Sequence, residues 1–393
     1  MTDKIKTTCV GCKACENVCP VQAIVMKRNQ EGFEYPEILE ARCIKCKKCE
    51  MVCPALRKED KESLEKIYAA RCSDKKILFE SSSGGVFSIL AQNTLRLNGV
   101  VYGTIFSKDY RKVMYARAVN LEDIEPMRGS KYVESLITQE IIKQLMEDIS
   151  SGRKVLFTGT GCQINGLQNL CKVKRINTQN VIWVDFYVCS GKVSSLLWEA
   201  ECDKIGEKGK LQQVNFRSKK RGWQNFSIDM KIDNKHYYKD FLVHPWSKFL
   251  GSSYSRRKSC LQCKYSQKNS KADISMGDFW NSEVLPKKWN DNKGVSVVSA
   301  NTKKGLEFFE ELTGIEYQKV ELKREKPSKE KENKSERESF WKIYHEEGYI
   351  NLCQKYAKIG FKEMLLFGII RPILIKTNLL SVIKRGNNVK QEK

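Results

Sequence analysis

Histidine is nearly missing from this 393-residue chain, which holds only His236, His244 and His345. A His-based acid–base site therefore has few candidates. His244, beside Pro245 and Trp246, is the best placed for a pocket, and an ordinary packed or surface histidine is the simpler reading of it. An apolar opening is missing too. MTDKIKTTCVGC puts charges where a signal peptide needs a hydrophobic stretch, so export is not expected. No run suits a transmembrane helix, because the apolar tail from Gly360 to Ile383 is interrupted by Lys362, Arg371-Pro372 and Lys376. That tail reads as a docking helix or as an interfacial membrane helix. No helix-turn-helix, zinc-finger or RNA-binding signature is present, which leaves nucleic acid out of the expected partners.

Cysteine, by contrast, is abundant, with 16 in the chain. A disulfide framework belongs to small secreted chains, whereas this one is long and lysine-rich, so a reducing, cytoplasmic setting and metal chemistry are expected. Eight of the cysteines form two copies of one run: Cys9, Cys12, Cys15, Cys19-Pro20, and Cys43, Cys46, Cys49, Cys53-Pro54. Each is C-x-x-C-x-x-C-x-x-x-C-P, the spacing that wraps three thiolates around one [4Fe–4S] cube and sends the fourth to the other. The predicted ligand sets are Cys9, Cys12, Cys15 and Cys53 for one cluster, and Cys43, Cys46, Cys49 and Cys19 for the second. A zinc site would want two close pairs and would not use a third evenly spaced cysteine.

The formal charge of +23 falls by about 4 to 6 once two or three cubes with four thiolates each are counted. The remainder fits a lysine-rich solvated surface. It also fits an acidic partner: a phosphate-bearing cofactor, an acidic redox protein or an anionic membrane.

The expected fold is α+β, a small bacterial-type dicluster ferredoxin domain followed by a larger mixed α/β domain, the one to which the resemblance given below assigns flavin binding. The ferredoxin domain is placed at 1–58, with a hairpin-like insert at Gly32-Phe33-Glu34-Tyr35-Pro36, and a charged helical linker follows from Asp60 to Lys66. The large domain is placed at 67–315. It opens with Ser81-Ser82-Ser83-Gly84-Gly85 before a helix pattern, then Gly99-Val100-Val101-Tyr102-Gly103 as a strand. Lys154-Val155-Leu156-Phe157 is a buried-strand pattern leading through Thr158-Gly159-Thr160-Gly161-Cys162-Gln163 into a helix, and Val181 to Val188 is a second strand ending at Cys189. Strand, glycine loop, helix, strand is an α/β unit with its chemistry at the carboxyl ends of the strands. Residues 210–240 alternate as antiparallel strands do. A charged linker is expected at 316–340, and a basic amphipathic tail at 341–393 that offers a peripheral membrane contact.

With these motifs in hand, the chain resembles the beta-subunit family of coenzyme F420-reducing hydrogenases and dehydrogenases, from about residue 5 to about residue 310. Relatives without F420, such as the plant 7-hydroxymethyl chlorophyll a reductase, look similar, and bacterial members occur in polysaccharide loci. The resemblance is carried by Ser82-Ser83-Gly84-Gly85-Val86-Phe87, Arg128-Gly129-Ser130-Lys131-Tyr132, Gly159-Thr160-Gly161-Cys162-Gln163, Cys260-Leu261-Gln262-Cys263-Lys264-Tyr265 and Asp273-Ile274-Ser275-Met276-Gly277-Asp278-Phe279-Trp280. It implies FAD, with Ser82, Ser83, Gly84, Gly85, Ser130, Lys131 and Tyr132 around it. Backbone N–H groups of the glycine loop would meet a pyrophosphate or the ring, and Lys131 would supply positive charge near flavin N1. By themselves these glycines also fit a helix cap and turn, and Lys131 a surface lysine.

The resemblance further implies that Cys162, Cys189, Cys260 and Cys263 can gather around a third [4Fe–4S] cluster; zinc, or buried thiols at Cys162 and Cys189, are the alternatives. Two departures stand out. Gly161 replaces the proline of the usual G-T-P-C-Q, and Cys189-Ser190-Gly191 lacks the histidine of C-H-G. Cys72, Cys171, Cys202 and Cys353 match no ligand pattern and read as core. The implied activity is an iron–sulfur flavoprotein oxidoreductase that passes electrons between a ferredoxin-like partner and a small organic hydride acceptor. F420 oxidoreduction, a non-catalytic relay subunit and a reductase of polysaccharide biosynthesis are the alternatives.

Overall fold

The computed structural model describes residues 8–56, 64–189, 191–265, 270–281, 284–322 and 333–377. Most of the expected Asp60–Lys66 linker, most of the charged run beyond 322 and the tail beyond 377 lie outside the described residues.

The cysteine-rich module repeats in three dimensions as it does in sequence. Helix α1 (Ala14–Val18) is preceded by Lys13 at φ 57°, and helix α2 (Lys48–Val52) by Lys47 at φ 60°. Gly11 and Lys45, two residues earlier in each run, are also left-handed. These four positive-φ positions coil each C-x-x-C-x-x-C tightly enough for its thiols to turn inward, at a backbone cost that an ordered core has to offset. Strands β1 (Ile24–Arg28) and β2 (Glu34–Ile38) form the expected antiparallel hairpin between the runs.

The large domain is a nine-stranded mixed sheet. Its strands are β3 (Lys66–Cys72), β4 (Val100–Phe106), β5 (Val113–Ala118), β6 (Ser135–Leu136), β7 (Val155–Thr158), β8 (Val181–Phe186), β12 (Ile274–Asp278), β13 (Ser296–Ala300) and β14 (Ile315–Lys319), in the order β14-β3-β13-β12-β8-β7-β4-β5-β6. The middle four, β12, β8, β7 and β4, run parallel. Parallel strands are buried on both faces, and the apolar runs show it. Tyr102, Val155, Phe157, Val181 and Trp183 enter one core, and their neighbours Val101, Leu156, Ile182 and Val184 enter the other. Helix α3 (Val86–Arg96), following the serine-glycine loop, covers the second core, and helix α4 (Gly161–Val173) covers the first. The first core also takes in Val10, Cys12, Ala14, Val18 and Val52, so the cysteine-rich module packs onto this face of the sheet through α4.

A three-stranded antiparallel sheet, β11-β10-β9, stands apart, with β9 (Leu211–Ser218), β10 (Ser227–Ile232) and β11 (Lys235–Asp240). Its core of Trp198, Phe216, Trp246 and Phe249 is completed by Phe340, Trp341, Tyr349 and Leu352 from helices α5 (Lys334–Glu346) and α6 (Gly348–Tyr356). The expected boundaries shift here. Residues 315–319 are an edge strand of the large sheet, and residues 334–357 are part of the three-stranded sheet's core where linker and tail were expected. The charged run masks these aromatics in sequence. Arg337, within that run, is itself buried, pairing with Glu31 of the hairpin at 2.6 and 2.7 Å and donating to the Arg256 and Ser253 carbonyls. His345 adds a contact to the Gln30 carbonyl at 2.9 Å.

Candidate redox site

Cys9, Cys12, Cys15 and Cys53 line one cavity, with Cys53 reaching in from the second run. Burial pushes the Cys12 thiol up to about 12, and the neighbouring Cys9, Cys53 and Cys162 push it further in the same direction. Cys15 and Cys53 are raised for the same reasons, burial first and the other sulfurs after it. Cys9 and Cys12 are buried and Cys15 and Cys53 half-buried, and four sulfurs gathered around one cavity are a donor set that suits a metal cluster. Backbone N–H groups already point at two sulfurs, Gly11 at Cys9 (3.4 Å) and Ala23 at Cys19 (3.2 Å). Cys46, in the turn of the second run, is exposed, and Cys43, Cys49 and Cys19 are half-buried.

Helix α4 packs against Cys12. A methyl group on Gly166 would sit 2.7 Å from Cys12 Cβ, so only glycine lets the helix approach this closely. At the start of the same helix Cys162 meets Thr160 Oγ1 at 3.3 Å. Cys189 follows β8, Cys260 lies within a short 3-10 turn (Lys258–Gln262), and Cys263 directly follows that turn. The structure brings these four distant cysteines together. Burial raises Cys189 to about 12, reinforced by Cys260, Cys162 and Cys263; burial raises Cys263 to about 11, reinforced by Cys162 and Cys260. Among the described residues no three His, Cys, Asp or Glu side chains are close enough to hold a single metal ion. A four-iron cube spaces its thiolates more widely than one tetrahedral ion does.

Two residues that sequence reasoning passed over join the sulfur groups. Tyr265 lies within electrostatic reach of Cys162 and Cys263 on one side and Cys12 and Cys53 on the other, and its hydroxyl donates to the Pro54 carbonyl at 2.6 Å. Lys192 is buried, donates Nζ–H to the Val10 carbonyl at 2.6 Å and turns its own backbone N–H to Cys260 at 3.4 Å. Nearby, the buried pair Arg257–Glu134 (2.7 Å) sends guanidinium N–H groups to the carbonyls of Cys9 and Glu34. The glycine at 161 has a physical reason as well. A Cβ there would stand 2.6 Å from Asp185 Oδ2 and 2.7 Å from the Tyr265 carbonyl.

The expected flavin residues also meet. Ser130 N–H donates to Ser82 Oγ at 2.8 Å, joining the Arg128–Tyr132 loop to the serine-glycine loop. Gly84, however, has its N–H on Ser296 Oγ (2.9 Å) and no room for a side chain against the Ala70 carbonyl and Ser296, so it anchors the loop to the sheet. Lys131 turns its ammonium to the carbonyls of Met127, Arg128 and Gly129. Arg217, absent from the sequence-based set, sits at the centre. It pairs with Asp278 at 2.8 and 3.0 Å, donates to Tyr132 Oη and the Ser82 carbonyl, and keeps a buried Nε–H with no partner. Its neighbour Lys219 is buried and donates to the carbonyls of Leu78, Ser83 (2.8 Å) and Lys293 (2.6 Å). The only sequence trace of both is an Arg-x-Lys at the end of a strand, which looks like any polar edge.

Desolvation, then the charge of Arg217, pulls Lys219 down to about 7. Its unfolded value is about 10.4, so between pH 7 and 10 the unfolded chain binds a proton that the folded chain does not. Stability from this group is complete above pH 10 and is lost as pH falls towards 7, by at most about 1.4 kcal/mol per pH unit. Thermal unfolding from pH 7 to 9 is expected to show this rise, and Lys219→Met to flatten it; an equal slope in both proteins refutes the assignment.

His244 is no acid–base group. It is buried, its Nδ1 accepts the Trp246 N–H at 3.1 Å as a helix cap, and burial drives it down to about 3. Cys72, Cys171 and Cys202 are buried and Cys353 half-buried. Ser190 lies outside the described residues.

Residues 152–327, which carry all four of the later cysteines, match the family described as the C terminus of the coenzyme F420 hydrogenase/dehydrogenase beta subunit. The chain carries that family's C-terminal domain. Its residues 8–56 match the 4Fe-4S dicluster domain. Among solved structures, this chain is similar to a chain of the F420-reducing [NiFe] hydrogenase complex from Methanosarcina barkeri, at 18% identity over 76% of this chain and 94% of that one, with a TM-score of 0.46. The search of curated proteins found no match.

Proposed function

We propose that this protein is an iron–sulfur flavoprotein oxidoreductase with three cluster sites in one chain. The observation that carries it is the junction at Tyr265, which lies within electrostatic reach of Cys12 and Cys53 from the inner set and of Cys162 and Cys263 from the later one. Cys43, Cys46, Cys49 and Cys19 are assigned to an outer cluster, Cys9, Cys12, Cys15 and Cys53 to an inner one, and Cys162, Cys189, Cys260 and Cys263 to a third. When bound, such clusters supply one-electron transfer, and FAD converts between single electrons and a hydride.

The chain's own residues set the direction. Lys45, Lys47 and Lys48 stand exposed around the exposed Cys46, with Ile44 and Met51 among them, a basic and partly apolar face that suits an acidic ferredoxin-like partner. Gly166 seats Cys12 against α4, and Tyr265 and Lys192 hold the inner and third sets in a fixed relation. For FAD the support is the unpartnered Arg217 Nε–H between Ser82, Tyr132 and Asp278, a buried donor that an acceptor atom of the cofactor would satisfy. A small organic molecule is the hydride acceptor.

One observation favours a relay subunit without flavin: Gly84 is wedged into the sheet with its N–H already bonded. Iron, acid-labile sulfide and flavin analysis of anaerobically reconstituted protein separates the readings. About twelve irons with one FAD per chain is the expected result. About eight irons leaves the third set without a cube, and clusters without flavin leave the relay reading.

A further inference from the structure

The segment after Gly360 is built inside out. Residues 361–376 form a helical stretch in which Leu366–Ile370 is a π-turn, just ahead of Pro372. Proline has no N–H for the Gly368 carbonyl and its ring crowds that oxygen, so the turn before it widens. The side facing the body of the protein carries two charged side chains along with Phe367 and Leu374. Glu363 pairs with Lys248, Arg371 feels Asp240 across the contact, and Gly368 lies against Val243. Glu363, Phe367, Arg371 and Leu374 are partly covered along this line. The opposite line, Phe361, Leu365, Ile369 and Ile373, faces solvent together with Leu366 and Ile370; Phe361 is 74% exposed, Ile369 53% and Ile373 55%.

A docking helix would bury its larger apolar face, and this one leaves Phe361, Leu365, Ile369 and Ile373 in solvent. We propose that it is an in-plane membrane anchor and that its occupant is an anionic lipid surface. Charge complementarity selects that occupant. From Lys358 to Lys393 the sequence holds eight Lys and Arg against Glu363 and Glu392. Lys358 and Lys362 are exposed beside the apolar line. Apolar side chains that enter the headgroup boundary, flanked by cations, are the arrangement of interfacial helices. No described helix is long and apolar enough to cross a membrane, so the contact is to one face of the bilayer.

The test is co-sedimentation of the cofactor-loaded full chain with phosphatidylglycerol/phosphatidylcholine vesicles and with pure phosphatidylcholine vesicles. Binding to the first, weakened by salt, and little to the second is the expected result. Ile369→Glu/Ile373→Glu is expected to cut binding at least about tenfold. Lys358→Glu/Lys362→Glu is expected to cut it on anionic vesicles alone. Iron content and melting temperature of both variants should match the parent, because these side chains face solvent. Absence of binding to anionic vesicles, or equal binding by parent and Ile369→Glu/Ile373→Glu, overturns the proposal. So does vesicle-free self-association that the same variant abolishes, since the face would then belong to a second copy of the chain.

Discussion

Replacing Cys53 by alanine is expected to remove the cluster of the first cysteine run while leaving that of the second in place. Cys53 sits in the second run's sequence but in the first run's cavity, beside Cys9, Cys12 and Cys15. Iron should fall by about four per chain, and reduction of the large domain by a ferredoxin-like donor should drop by orders of magnitude. The outer cluster should still accept electrons, because Cys43, Cys46, Cys49 and Cys19 are intact. The comparison variant is Cys46→Ala, which should remove the outer signal and keep the inner one. Low-temperature EPR of the two variants after dithionite reduction separates them. If Cys53→Ala and Cys46→Ala lose the same signal, the runs do not exchange their fourth cysteine and the proposed ligand sets are wrong.

The second large effect concerns what fastens the dicluster domain to the large sheet. Arg257 is buried against Glu134 and reaches both the Cys9 and Glu34 carbonyls, with the rings of Phe33 and Tyr35 about its guanidinium. Arg257→Ala should leave a buried carboxylate without its partner, a loss of about 3–5 kcal/mol. The loss should appear as a lower melting temperature and as proteolysis between residues 8 and 56. Arg257→Met/Glu134→Leu removes both charges and should recover much of that stability, since a well-packed apolar pair can replace a buried ion pair. If the single and double variants are equally unstable, the charge pair is not what holds the junction.

How much of this was legible beforehand differs by kind of interaction. The doubled cysteine run appears in sequence and structure alike because short, regular spacings decide how one turn coils, and the left-handed residues at 11, 13, 45 and 47 sit at matching places in each copy. Strands β7 and β8 were legible for a similar local reason: burial on both faces of the sheet demands unbroken apolar runs such as Val155-Leu156-Phe157 and Val181 to Val184. Gathering Cys162, Cys189, Cys260 and Cys263 came from the family resemblance, and the fold supplies its geometric basis at the carboxyl ends of those two strands. Arg217, Lys219 and Tyr265 were not legible. An arginine on a polar strand and a tyrosine after Cys263 acquire their roles only through partners such as Asp278, more than sixty residues away, and Pro54, more than two hundred away. The helices α5 and α6 were hidden differently. The mean charge of the stretch around 319–338 outweighs a faint helical period, Phe340, Ile343, Tyr349 and Leu352, that marks their buried side.

The bond between Arg337 and Glu31 also has a consequence in time. These partners lie 306 positions apart. At about 5–20 residues per second, on the order of 15 to 60 seconds of synthesis separate them on the ribosome. The cysteine-rich module is therefore made first and clasped last, and throughout that interval its inner thiols are not yet closed in by the last of the contacts that hold the finished protein together.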